Sequence, residues 1–206
     1  MRPTIRRRVS NVPIATDEGE LAHRVRRGWR ERVVSRLRGE QSRDALEAAG
    51  LRIGRNVLIA GGVSIDPGFT WLIEIGDDTT IAPRVQIIAH DAATKSVTGK
   101  TQVQRVTIGQ RVYIGTAAIV LPGVTIGDDA IIGAASVVRH DIPPNAVAVG
   151  VPARIVGTAG EMRERHTELM RERPVWDWSW TRMGGITRER MREMYDALAD
   201  GPGYVD

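Results

Sequence analysis

"VTIGQRVYIGTAAIVLPGVTIGDDAIIGAASVV", residues Val106 to Val138, repeats an aliphatic residue every six positions: Ile108, Ile114, Val120, Ile126, Ile132 and Val138. The same phase runs earlier in the chain, through Ile53, Ile59 and Ile65 and again through Ile75, Ile81 and Ile87. A small or acidic residue often follows the anchor, as at Gly54, Ala60, Asp66, Gly76, Ala82, Gly109, Gly115, Gly127 and Gly133. Four positions after each anchor comes another modest residue, such as Val63, Val85, Val112, Ala118, Val124, Ala130 or Ser136.

A period of six is neither the 3.6 of a helix nor the alternation of a long strand. It fits very short strands joined by tight turns, with Gly, Asn and Asp where the backbone bends. Three units close one triangular coil, and stacked coils share a core that none of them could bury alone. Four coils are expected, beginning near Ile53, Ile75, Ile108 and Ile126. With a single phenylalanine in 206 residues, the interior has to be aliphatic, which suits a narrow repetitive solenoid. The fold class is therefore mainly β, a parallel β-helix of hexapeptide repeats with helical segments at both ends.

"IGDDTTIAPRVQIIAH", the Val106–Val138 stretch and "DIPPNAVAVGVPARIVG" together resemble the hexapeptide-repeat acyltransferases. Within them the similarity is to the maltose, galactoside and polysaccharide O-acetyltransferases, over residues 51–157. The resemblance implies a left-handed coil, against the usual right-handed crossover. It also implies acetyl-CoA as co-substrate, no required metal, and a homotrimer with active sites between neighbouring subunits.

Two segments interrupt the repeat. "WLIE", Trp71 to Glu74, separates the first coil from the second. Residues 92–105, polar and without an acidic side chain, separate the second from the third. A long loop in a regular solenoid is usually functional or disordered, and the resemblance makes it an active-site wall. Residues 1–50 read as a basic helical segment that caps the solenoid, ending in "SRDALEAAG" with Ser42 as N-cap and Gly50 as stop. Residues 158–206 read as a helical extension, with one helix stopped by Pro174 and a last one beginning near Thr187. Between these helices Trp176, Trp178 and Trp180 alternate, and packing against the solenoid or a neighbouring subunit is expected of them.

His90 stands where the second coil gives way to the 92–105 loop. Moving an acetyl group from a thioester to a hydroxyl requires a base near neutral pKa, which histidine supplies. His90 matches the family's catalytic histidine. The glutamate that galactoside-type relatives carry after it has no counterpart here. Asp66, Glu74 and Asp91 are the candidates to orient it, and with Trp71 they are candidates to bind the acceptor. Thr116 and Ala134 match positions whose backbone contacts the thioester and pantetheine arm. Arg154 matches a basic position that contacts CoA phosphates, and Arg139 and His140 are further candidates for the phosphates. His23 and His166, in predicted terminal helices, are expected to be solvated.

The net charge of +4 is concentrated in "IRRRV" and "HRVRRGWRERVVSRLR". Such a helix can lie on an anionic membrane surface, so a cytoplasmic protein with peripheral contact at the inner face is expected. No apolar run approaches the roughly 20 residues of a spanning helix, and no signal peptide is read. The five tryptophans are not interleaved with the basic cluster, so nucleic acid is not an expected partner. Without cysteine there is no thiolate chemistry. The partners expected are a second and third copy of the chain and a small-molecule or glycan acceptor. N-acetylation of a nucleotide-linked amino sugar and a non-catalytic scaffold are the alternatives.

Overall fold

The computed structural model describes residues 42–206. The basic segment expected before Ser42, with His23, lies outside the described residues. From Leu51 onward the six-residue period becomes three parallel sheets, visited in turn by the chain. The first face stacks Arg52–Ile53, Ile73–Ile75, Val106–Ile108 and Thr125–Ile126. The second stacks Leu58–Ile59, Thr80–Ile81, Tyr113–Ile114, Ile131–Ile132 and Ala146–Val149. The third stacks Ser64–Ile65, Gln86–Ile87, Ile119–Val120 and Val137–Val138. Together these make a three-sided parallel β-helix.

Register places anchor on anchor: Ile53 on Ile75, Ile81 on Ile114 and then Ile132, and Ile87 on Val120 and then Val138. From Ile65 through Val138 every anchor is at most 1% exposed, whereas Ile53 and Ile59 in the end coil are only half-buried. The core is thus a column of branched aliphatic side chains. Two buried hydroxyls are built into it. Thr79 Oγ1 donates to the Gly109 carbonyl and accepts from Val112 N–H, and Ser136 Oγ accepts from Gly150 N–H.

The turns share one conformation. The residue three after the anchor has positive φ at Asn56, Asp78, Arg84, Arg111, Ala117, Asp129, Ala135 and Asn145, and at Gly62 and Gly123. Asn, Asp and Gly tolerate this region, but Arg84, Arg111, Ala117 and Ala135 occupy it at a cost of about 1–2 kcal/mol each. Strand pairing on both sides of the turn holds them there.

A partial fifth coil, which the repeat count did not anticipate, follows the expected four. Ile142 bridges to Ile126, and Ala146–Val149 pairs with Ile131–Ile132. The chain then reverses, so Arg154–Thr158 lies antiparallel on Ala146–Val149. At the other end, helix Arg43–Ala48 is capped by Ser42, whose Oγ accepts from Ala45 N–H, and it buries Leu46 on the first coil. Gly50, at φ +92, ends it as the sequence suggests.

The helix Ala159–Glu172 begins with a capping box of Thr158 and Glu161, and Arg188–Ala197 is capped by Thr187. Two expectations for this extension need correction. The Trp176 and Trp180 rings pack on each other at 5.6 Å, and Val175–Trp176 pairs with Tyr204–Val205, so within the chain these half-buried rings pack on the extension itself. Trp178 is 53% exposed. His166 is not simply solvated: its Nδ1 is 3.0 Å from the Tyr204 hydroxyl. Among the described residues no helix is long and apolar enough to cross a membrane.

Candidate active site

The edge where the chain passes from the third face back to the first carries both interruptions of the repeat. Here Asp66 follows the Ile65 anchor and His90 follows Ala89 one coil later. Pairing of Asp66 N–H with the Ile87 carbonyl sets Asp66 beside this segment. The Asp66 carboxylate is almost fully buried. Oδ2 accepts from Ala89 N–H at 2.9 Å and meets His90 Nδ1 at 2.5 Å, and Oδ1 accepts from Gly68 N–H at 3.0 Å.

Burial opposes ionisation of Asp66, but the His90 bond and the two backbone donors outweigh it and lower its pKa. An ionised carboxylate can only accept, so His90 Nδ1 carries the hydrogen. In the neutral imidazole the other nitrogen, Nε2, then keeps its lone pair. The His90 side chain is 36% exposed, enough for a reactant to reach it.

The 92–105 segment is a folded hairpin. His90–Asp91 pairs antiparallel with Gln102–Val103, and the excursion contains a 3-10 turn, Ala92–Thr94, and a helical turn, Lys95–Thr98. Thr94 Oγ1 closes it by accepting from Gln102 N–H and donating to the Lys100 carbonyl.

Of the three carboxylates considered for His90, the structure selects Asp66. Glu74 points outward on the first face, 3.5 Å from Arg52. Asp91 caps the 3-10 turn by accepting from Ala93 N–H. Trp71 is brought near the histidine through a third ring: Phe69 lies 5.3 Å from the His90 ring and 5.6 Å from that of Trp71.

On the other side of the hairpin, along the later coils, a groove of about 460 Å³ is lined by Asp91, Gln102, Gln104, Arg139, Val151 and Pro152, among others. Apolar walls, amide side chains and one guanidinium suit a long, partly polar ligand with an anionic end. Arg139 is one of the residues that line this groove. His140 follows it at the same edge, exposed. Thr116 and Ala134 are not in the groove. They stand at the turns between the second and third faces, a different edge of the prism, where the Thr116 carbonyl accepts from Ala135 N–H. Arg154 is exposed on the reversed strand, with Nη1 donating to its neighbour's carbonyl, Ala153 O.

Residues 105–140 match the family model described as bacterial transferase hexapeptide (six repeats). The galactoside O-acetyltransferase of Escherichia coli is 39% identical over 121 residues, which are 56% of this chain and 57% of that protein. The chain carries the bacterial transferase hexapeptide repeat over residues 105–140 and is similar to acetyltransferases built on it. A serine acetyltransferase of Helicobacter pylori is 39% identical over 108 residues, 52% of this chain and 57% of that one. Among solved structures, galactoside acetyltransferase in complex with coenzyme A matches with TM-score 0.50 and 36% identity, covering 56% of this chain and 58% of that one. This hexapeptide-repeat chain therefore spans a little over half the length of the curated relatives it matches.

Reading the repeat missed Phe69, Gln102, Gln104 and the Val151–Pro152 wall. Phe69 carried a signal: it is the lone phenylalanine of an aliphatic chain, two residues before the noted insertion. The others became visible only through tertiary pairing across the hairpin and the reversed fifth coil.

Proposed function

We propose that the chain is an acetyl-CoA-dependent O-acetyltransferase acting on a sugar or polysaccharide precursor, with His90 as general base. The observation that carries this reading is the Asp66–His90 pair, on the same edge as a groove lined by Asp91 and Arg139. His90 Nε2 takes the proton as the acceptor hydroxyl oxygen attacks the thioester carbonyl. The tetrahedral intermediate collapses with cleavage of the C–S bond, and the imidazolium returns the proton to the leaving thiolate. Asp66 holds the ring and stabilises the transient imidazolium. Backbone N–H groups are suited to hold the oxyanion. No acyl-enzyme is needed when both substrates lie side by side.

The groove's apolar walls and glutamine amides suit the pantetheine arm, and Arg139 suits a phosphate. Thr116 and Ala134 stand on an edge that His90 of the same chain does not share. They serve the site if a neighbouring copy presents that edge, which favours a homotrimer with shared sites. Coenzyme A in the galactoside acetyltransferase structure supports the choice of acetyl donor.

The test is free-CoA release from acetyl-CoA against hydroxyl sugars, amino sugars, nucleotide-linked amino sugars and L-serine. Turnover with hydroxyl sugars is expected. Turnover confined to amino sugars would replace O-transfer with N-transfer. No turnover and no acetyl-CoA binding by calorimetry would leave a scaffold.

A further inference from the structure

We propose that Trp71, backed by Phe69, is the platform on which the acceptor stacks, and that the acceptor presents the apolar face of a pyranose ring. This rests on the acetyl-transfer reading and names the class of acceptor within it. Trp71 is 54% exposed, an unusual setting for the largest apolar side chain on a solenoid whose core is aliphatic. Its ring is in contact with Phe69, whose ring is in turn in contact with His90.

The backbone that displays this ring is tied down at several points. Thr70 Oγ1 donates to the Asp66 carbonyl, Gly68 N–H donates to the Asp66 carboxylate, and Leu72 N–H donates to the Phe69 carbonyl. Gly50 abuts the start of the Trp71 side chain, where an added Cβ would sit 2.9 Å from Trp71 Cβ. One residue, Asp66, therefore fixes both the base and the aromatic turn. A rigid, exposed ring gives stacking area at little entropic cost.

Position along the prism assigns the ring to the acceptor. Phe69 and Trp71 lie between the first and second coils, His90 between the second and third, and Arg139 after the fourth, all on one edge. The groove suited to a phosphate-bearing donor, lined by Asp91 and Arg139, lies toward the later coils, and the aromatic turn lies toward the first. Two substrates approaching from opposite ends would converge on the edge that carries His90. The axial and equatorial C–H groups of a pyranose cover an indole face, which a small amino alcohol such as serine cannot do.

The experiment compares wild type, Trp71→Ala and Trp71→Phe with methyl pyranosides and with L-serine as acceptors. It also uses saturation-transfer NMR of the pyranosides on the inactive His90→Ala protein with CoA, with and without Trp71→Ala. Expected are an acceptor KM raised about tenfold or more for pyranosides in Trp71→Ala, partial recovery in Trp71→Phe, and an unchanged KM for acetyl-CoA. The NMR signal on the ring C–H protons should vanish with Trp71. Unchanged pyranoside kinetics and NMR signal in Trp71→Ala would overturn the platform while leaving acetyl transfer intact. A raised acetyl-CoA KM with unchanged acceptor KM would also overturn it, by giving the ring to the donor. A Trp71-dependent NMR signal in a protein whose wild type transfers to nothing would keep the platform and overturn the transfer reading.

Discussion

Asp66 Oδ2 lies 2.5 Å from His90 Nδ1, although 24 positions separate the two residues. Stacking of one coil on the next brings them together, and two backbone N–H donors fix the carboxylate before the imidazole reaches it. The His90 ring is therefore oriented by the core of the solenoid, not by the loop that follows it.

Asp66→Asn keeps the shape but removes an obligate acceptor, so His90 can adopt the other tautomer. A fall in kcat of at least tenfold is expected, with the acetyl-CoA KM unchanged; steady-state kinetics reads both. The same variant loses about 1–3 kcal/mol of stability at neutral pH through its weakened buried hydrogen bonds.

Stability against acid follows from the sign of the Asp66 shift. Its folded pKa is lowered from 3.8, so its contribution is fully present above that value and is lost as pH falls through the lower folded value. Denaturant melts of wild type below about pH 4 should show this loss. Asp66→Asn should show a shallower acid limb, and an equal slope in both proteins would contradict the assignment.

Neighbouring turn positions should respond in opposite directions. Ala117, at φ +59, is strained, and Ala117→Gly is expected to be neutral or stabilising by up to about 1 kcal/mol. Two residues earlier, a Cβ on Gly115 would meet Ala134 N at 2.6 Å, against backbone that cannot move aside. Gly115→Ala should therefore destabilise by about 1–3 kcal/mol. Thermal melts of the two variants separate these cases.

The column of anchors should weaken toward its first coil. Ile114→Ala and Ile132→Ala remove fully buried side chains and should each cost about 2–5 kcal/mol. Ile53→Ala, in the half-buried end coil, should cost clearly less. Equal losses at all three would contradict a graded core.

The solenoid was legible because each anchor obeys the same local rule, and Ile108 to Val138 repeats it without error. The fifth coil was hidden by a slip in phase. Six residues beyond Val138 stands Pro144, whereas the bridging residue is Ile142. Asp66 was one of three carboxylates because nothing local distinguishes it from Asp91. The register of Ile65 on Ile87 decides between them, and register over 22 residues is a tertiary property. Arg84 and Arg111 at left-handed turns gave no warning, since their residue type argues against the conformation they adopt. The Trp176–Trp180 contact was not legible for a related reason: alternation along Trp176–Trp180 says that rings will pack, but not on what.

The central claim is tested most directly by comparing wild type with His90→Ala at saturating acetyl-CoA and acceptor, with acetyl-CoA binding measured by calorimetry in both. Binding should be unchanged and turnover should fall about 10²–10⁴-fold. Turnover retained in His90→Ala would contradict the account, because the account makes His90 the group that takes the acceptor's proton.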